Sequence, residues 1–220
     1  MTRAGHHTMM GRKLLPFDSA VAWLEGVSTD NGDGPWIDTG IKLSNNPIIE
    51  VSVQPTDNSF SWVAGCRRFD SPSCYCNMAI VDSTRYARAV YKDSTYNSTT
   101  VIPLDSFSTM KMSHTALSVN GTNVATYNKS IGTEFSNGPN FALFNLLQTG
   151  GATLTGIGLT GRIAWCKVWN DDGATLVGDF IMVRKDGVGY AYNKLDGSLL
   201  GATNGALAIG PNTSYQQGGG

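Results

Sequence analysis

Three Asp-Gly pairs, Asp172-Gly173, Asp186-Gly187 and Asp196-Gly197, divide residues 161–201 into short runs rich in Val, Ile, Trp, Tyr and Phe. Each pair supplies the positive-φ residue that a tight hairpin turn needs, since glycine has no Cβ to clash and Asp tolerates the left-handed region. Runs this short leave no room for a helix, so the block reads as an antiparallel meander. Within it, Trp165 and Trp169 fall on the face opposite Ala164, Cys166 and Val168. A strand apolar on both faces is expected in the middle of a sheet.

The same grammar holds upstream. Ile49, Val51 and Val53 alternate with Glu50, Ser52 and Gln54, which places one face in a core and the other in solvent. Further strand candidates are 60–65, 75–81, 86–91, 99–104, 115–119, 123–127 and 141–147, and Asn120-Gly121 marks another hairpin. The stretch 28–35, with its Asn-Gly-Asp-Gly-Pro run, is a turn. More than ten short strands without an amphipathic helix predict an all-β fold, a two-sheet antiparallel jelly-roll sandwich. We read one domain at 19–210, an N-terminal arm at 1–18, and a flexible C-terminal tail at 211–220 ending in three glycines.

A formal charge of -1, with only 15% charged residues of both signs interspersed, gives no field to gather nucleic acid or an anionic membrane. No apolar run reaches transmembrane length, so membrane insertion is not expected. The first residues lack the continuous apolar core of a signal peptide, so export by the usual signal is not expected either. Sequons at Asn97, Asn120, Asn128 and Asn212 are what chance gives in a chain so rich in Asn, Ser and Thr. Four cysteines, Cys66, Cys74, Cys76 and Cys166, are too few for a disulfide scaffold of this size. With no histidine near them in sequence they read as buried thiols, and no metal site is assigned.

Catalytic patterns are weak. The chain has three glutamates, Glu25, Glu50 and Glu134, and no second acid stands two or four residues from any of them. Several aspartates lie at turns beside glycine. Gly156-Ile157-Gly158-Leu159-Thr160-Gly161 spells a dinucleotide-loop pattern, yet the residues after it continue as a strand where a phosphate-binding loop must open a helix. His6 and His7 lie in the arm. His114 is the single histidine of the folded region, with no nucleophile turn near it, and reads as a strand-surface residue.

The segments Trp36-Ile37-Asp38-Thr39-Gly40-Ile41, Gly161-Arg162-Ile163 and Asp186-Gly187-Val188-Gly189 resemble the concanavalin A-like lectin/glucanase jelly roll, in its laminin-G-related branch. Between them, His114-Thr115-Ala116-Leu117-Ser118-Val119-Asn120-Gly121 resembles the alternating strand that ends in Asn-Gly, and Phe141-Ala142-Leu143-Phe144-Asn145 the next core strand. The resemblance spans about residues 20 to 210. Met182 stands where a proline is expected, and Ala191-Tyr192-Asn193 where Leu-Tyr-Asp is. Domains of this kind occur in bacteriophage structural proteins and bacterial surface proteins. The glucanase members need carboxylates clustered on one strand, and no Glu-x-Asp-x-x-Glu strand exists here, so no enzymatic activity is expected. Relatives of the laminin-G type bind calcium through loop aspartates, which makes Asp30, Asp33 and Asp171 candidates for calcium; no other cofactor is implied.

Lectin-like sandwiches hold sugars by stacking pyranose rings on aromatic faces beside polar groups. Arg68, Tyr75, Tyr86, Arg88 and Tyr91 have that makeup and form the predicted carbohydrate site, against the plainer reading that the tyrosines edge the core under snorkelling arginines. Tyr86, Arg88 and Val90 share one strand face, and Tyr91 lies on the other. Trp165 and Trp169 are a second candidate platform. In the arm, Arg3, Met9, Met10, Arg12 and Lys13 are read as a docking surface for an acidic, partly apolar partner. The expectation is a non-catalytic virion structural or decoration protein that docks to a larger assembly, with homo-oligomers and glycan contacts, in the phage particle. The alternatives are an adhesion lectin on a bacterial cell surface, and then a glycoside hydrolase.

Overall fold

The positive-φ turns stand where the Asx-Gly pairs put them. Asn120 (φ 49°) and Gly121 (φ 80°) close one hairpin, and Asp186 (φ 51°) and Gly187 (φ 77°) another. At Asp196-Gly197 only the glycine is left-handed (φ 79°). Around Asp172 the turn is longer than a two-residue hairpin: Asp171, Asp172 and Gly173 all have positive φ, at 54°, 55° and 90°.

The computed structural model describes residues 15–28, 34–68, 74–149 and 157–214. Among them the chain runs through β1 (Ser19–Val21), β2 (Leu24–Gly26), β3 (Ile37–Asp38), β4 (Ile48–Pro55), β5 (Ser61–Arg68) and β6 (Cys74–Ile80). It continues through β7 (Tyr86–Lys92), β8 (Ser94–Val101), β9 (Ser108–Met112), β10 (Ala116–Val119), β11 (Thr122–Thr126), β12 (Ala142–Leu143) and β13 (Leu146–Gln148). The meander supplies β14 (Gly161–Asn170), β15 (Thr175–Lys185), β16 (Val188–Asn193) and β17 (Leu199–Gly201), and β18 (Ala208–Ile209) and β19 (Asn212–Thr213) close the chain. The larger sheet is ordered β11-β10-β9-β4-β14-β15-β1-β19, with β2, β16, β17 and β18 off that path; the smaller is β3-β12-β5-β6-β7-β8, with β13 beside β5. The expected all-β two-sheet jelly roll is the fold, and β14 is central in its sheet.

Alternation builds the core. Ile49, Val51 and Val53 of β4 and Phe180 and Met182 of β15 meet Cys66, Cys76, Met78 and Tyr91 of the smaller sheet in one cluster, all fully buried. Burying each large apolar side chain contributes roughly 1.5–3 kcal/mol. The first and last described strands pair: Ala20 lies opposite Thr213 and Val21 opposite Asn212, and Leu24 faces Ile209. The sandwich therefore exceeds the predicted 19–210 boundary at both ends. Asn212–Thr213, placed in the tail, is an edge strand, and Phe17, placed in the arm, is buried with its ring 4.9 Å from that of Tyr192.

The predicted strand 141–147 is broken. Phe144 is buried with φ 67°, its N–H donating to Val63 O at 2.9 Å, where β5 slips register against β6 between Trp62 and Ala64. Ahead of the break β12 runs antiparallel to β5; after it β13 runs parallel, an exception to the antiparallel expectation that follows from the reversal at Phe144. His114 sits in the turn before β10 rather than on the strand, its Nδ1 2.9 Å from Asp172 Oδ1.

Candidate carbohydrate-recognition face

The outer face of the larger sheet is set by one bulge. In the pairing of β14 with β4, Ile163 faces Val53 but Trp165 faces Ser52, so Ala164 is an extra residue. The bulge restarts the alternation. Ile163, Cys166 and Val168 point into the core, fully buried, while Trp165, Lys167 and Trp169 lie half-buried on the outside. Ala164, expected on the core face with Cys166 and Val168, instead lines the outer surface.

Register then sets a row of charges across four strands. Lys111 of β9 lies opposite Glu50 of β4, Glu50 opposite Lys167 of β14, and Lys167 opposite Asp179 of β15. With strands about 4.8 Å apart the row is about 14 Å long. The Lys111 ammonium lies 3.8 Å from Glu50, and Lys194, which follows β16, lies 2.5 Å from Asp179. Both carboxylates flanking Lys167 are thus engaged, and Lys167 itself makes no ion pair among the described residues.

Each end of the row opens into a recess. At the Asp179 end a cleft of about 430 Å³ is lined by Trp165, Lys167, Asp179, Ile181, Lys194 and Thr213 among others. At the Lys111 end a recess of about 400 Å³ is lined by Glu50, Thr109, Lys111, Thr115, Ser118 and Asn123 among others. Trp169 lies beside the row with the Lys111 ammonium 5.7 Å from its ring centre. An indole face, a free ammonium and a rim of hydroxyl and carboxylate oxygens can stack on a pyranose and bind its hydroxyls.

The site predicted from sequence lies on the other sheet, and the structure divides it. Tyr91 is fully buried, its hydroxyl 3.4 Å from Pro47 O, so it cannot stack on a sugar; burial first, and neighbouring Cys76 next, push its phenol far above the ordinary range. This corrects Tyr91 as a candidate, and the plainer reading of a tyrosine inside the core describes it. Arg68 turns away from the group, with Nη1 donating to Glu134 O at 2.8 Å. Tyr75, Tyr86 and Arg88 remain half-buried on the outer face of the smaller sheet. There the Arg67 guanidinium sits 4.5 Å from the Tyr75 ring centre, and Arg88 lies 5.3 Å from the Phe60 ring while donating from Nε to Asn97 Oδ1 at 2.6 Å. One face of each of those two rings is covered by a guanidinium, which leaves the larger sheet's outer face as the better sugar platform. The arm residues Arg3, Met9, Met10, Arg12 and Lys13 lie outside the described residues, as do Asp30 and Asp33.

Asp171 is held by two side-chain donors. Its Oδ1 accepts from Asn45 Nδ2 at 2.8 Å and its Oδ2 from Thr175 Oγ1 at 2.9 Å, and these donors hold its carboxyl below the usual range. No group of three or more His, Cys, Asp or Glu among the described residues is placed to hold a metal. Cys66, Cys74, Cys76 and Cys166 are all buried free thiols, and burial pushes Cys74 up to about 12.

The glutamates are separately paired: Glu25 with Arg162 at 3.0 Å, Glu50 with Lys111, and Glu134 with Lys92 at 3.9 Å. Glu50 and Asp179 share a sheet face with β14 between them, and each lies beside an ammonium. None of the described helices is long and apolar enough to cross a membrane.

No protein-family profile matches the sequence, and neither does any curated protein. Solved structures do match. One is a candidate carbohydrate-binding protein from Bacteroides ovatus, at TM-score 0.58 and 11% identity, covering 89% of this chain and 61% of the other; the chain thus spans under two thirds of that protein's length. Another is the native heptameric SAP-like pentraxin from Limulus polyphemus, at TM-score 0.56 and 12% identity, covering 89% of this chain and 97% of the other. At such identities the likeness is one of architecture, and the chain is a two-sheet antiparallel jelly-roll sandwich.

Proposed function

We propose that this chain is a non-catalytic carbohydrate-recognition module, with its binding face on the outer surface of the larger sheet. The observation that carries the proposal is the cleft where Trp165 stands beside Lys167, Asp179 and Lys194. An aromatic ring with convergent polar groups is the arrangement that holds a pyranose by stacking and hydroxyl hydrogen bonds. The candidate carbohydrate-binding protein of the same architecture supports the reading. A glycan array probed with the protein and with Trp165→Ala tests it: saccharide binding that weakens at least tenfold in the variant is expected, and binding indifferent to Trp165 would contradict it.

The carrier in this proposal is a virion, on which the module acts as a decoration or receptor-contacting part. What supports it is the basic, methionine-bearing sequence ahead of the sandwich, suited to an acidic and partly apolar docking partner. Because Phe17 packs into the fold, the test is removal of residues 1–14: the shortened chain is expected to fold and to incorporate poorly into the assembly, and equal incorporation would defeat the docking role.

A further inference from the structure

From the charge row we infer that the cleft takes an acidic saccharide, one whose ring carries a carboxylate or a sulfate, with Lys167 as the residue that reads the charge. The inference rests on the carbohydrate reading above. Lys167 is the middle cation of the row, and its two register neighbours, Glu50 and Asp179, are already engaged by Lys111 and Lys194. The face therefore presents three ammonium groups against two carboxylates, a local excess of positive charge on a chain whose net charge is -1.

Placement makes that excess specific. Trp165 and Lys167 are two residues apart on one strand face, about 7 Å along the strand. A pyranose stacked on the indole can turn its exocyclic carboxylate or sulfate toward the Lys167 ammonium, on its flexible four-carbon stem. The stacked ring displaces water from the half-buried ammonium, which strengthens a charge-assisted hydrogen bond. A neutral hydroxyl in the same position gives the weaker, neutral acceptor.

The experiment is a quantitative glycan array bearing neutral, uronate- or sialate-bearing, and sulfated saccharides, probed with the full chain and with Lys167→Met and Lys167→Gln. Melting temperatures are measured alongside. The expected result is acidic saccharides bound about tenfold tighter than their neutral counterparts, a ratio that falls toward one in both variants and shrinks with added salt. The carboxylated and sulfated panels separate the two sources of negative charge. Binding of neutral saccharides as tight as of acidic ones, or an acidic preference that survives both substitutions, overturns the inference and leaves the carbohydrate reading standing. Binding to no saccharide at all overturns that reading, and this inference with it.

Discussion

The Lys194 ammonium lies 2.5 Å from the Asp179 carboxylate, so the acid directly opposite Lys167 on the next strand is already neutralised by a residue from beyond β16. Lys194 N–H also donates to Asp179 O at 2.9 Å, which fixes the loop that brings this cation back over the sheet. Removing the charge of Asp179 leaves Lys194 unpaired beside Lys167. For Asp179→Asn we expect about threefold tighter binding of an acidic saccharide with little change in melting temperature, read by titration calorimetry. Weaker binding would contradict the electrostatic account of the row.

Tyr91 and Tyr75 separate core from surface. Tyr91 is fully buried and Tyr75 is half-buried under Arg67. Truncating a buried aromatic to alanine costs about 3–5 kcal/mol through lost burial and the cavity left behind. Tyr91→Ala is expected to lose that much in denaturant unfolding, and Tyr75→Ala about 1 kcal/mol or less. Comparable losses for the two would show that the assignment of strand faces in β6 and β7 is wrong.

Two glycines differ in what they avoid. A Cβ at Gly65 would lie 2.2 Å from Asn77 Cβ and 2.6 Å from both Asn77 Cα and Cys76 O, so β5 and β6 would have to separate. At Gly187 (φ 77°) a Cβ meets nothing within 4 Å, and the cost is only that of the left-handed backbone, about 1–2 kcal/mol. Gly65→Ala should therefore lower the melting temperature well beyond Gly187→Ala, or fail to fold; equal shifts would count against the close strand approach at Gly65.

Asp93, at the β7–β8 turn, is pulled down to about 2, first by the hydrogen bond from Lys129 and then by that from Ser94. An acid depressed in the folded state stabilises it above the unfolded value of about 3.9, and that contribution is lost as the pH falls through about 2. Asp93 is exposed, so the readable quantity is the titration itself. Carboxyl NMR should give Asp93 a midpoint near 2 that moves up toward the ordinary range in Lys129→Ala. A midpoint near 4 in the unaltered protein would show the pair open in solution.

Local chemistry carried the fold further than the site. The turns at Gly121, Gly187 and Gly197 were legible because left-handed backbone has few residue solutions, and β4 because Ile49, Val51 and Val53 alternate cleanly. The break at Phe144 was not, since nothing in Phe141-Ala142-Leu143-Phe144 signals a positive φ; the bulge at Val63 that accepts its N–H lies some eighty residues away. The row of charges was equally hidden. Glu50, Lys111, Lys167 and Asp179 come from four strands, and only pairing register makes them neighbours. Trp165 and Trp169 were visible as a platform, and the alternation that put Tyr91 opposite Tyr86 already held the correction to the predicted site.

Trp165 and its cleft are the proposed saccharide site. The most direct measurement is the dissociation constant of the tightest array-selected saccharide for the full chain, for Trp165→Ala, and for Tyr75→Ala on the opposite sheet. Loss of the indole is expected to weaken binding at least tenfold, about 1.4 kcal/mol, and Tyr75→Ala to change it no more than twofold. The same affinity in Trp165→Ala as in the unaltered chain, or a loss confined to Tyr75→Ala, would contradict the proposed site.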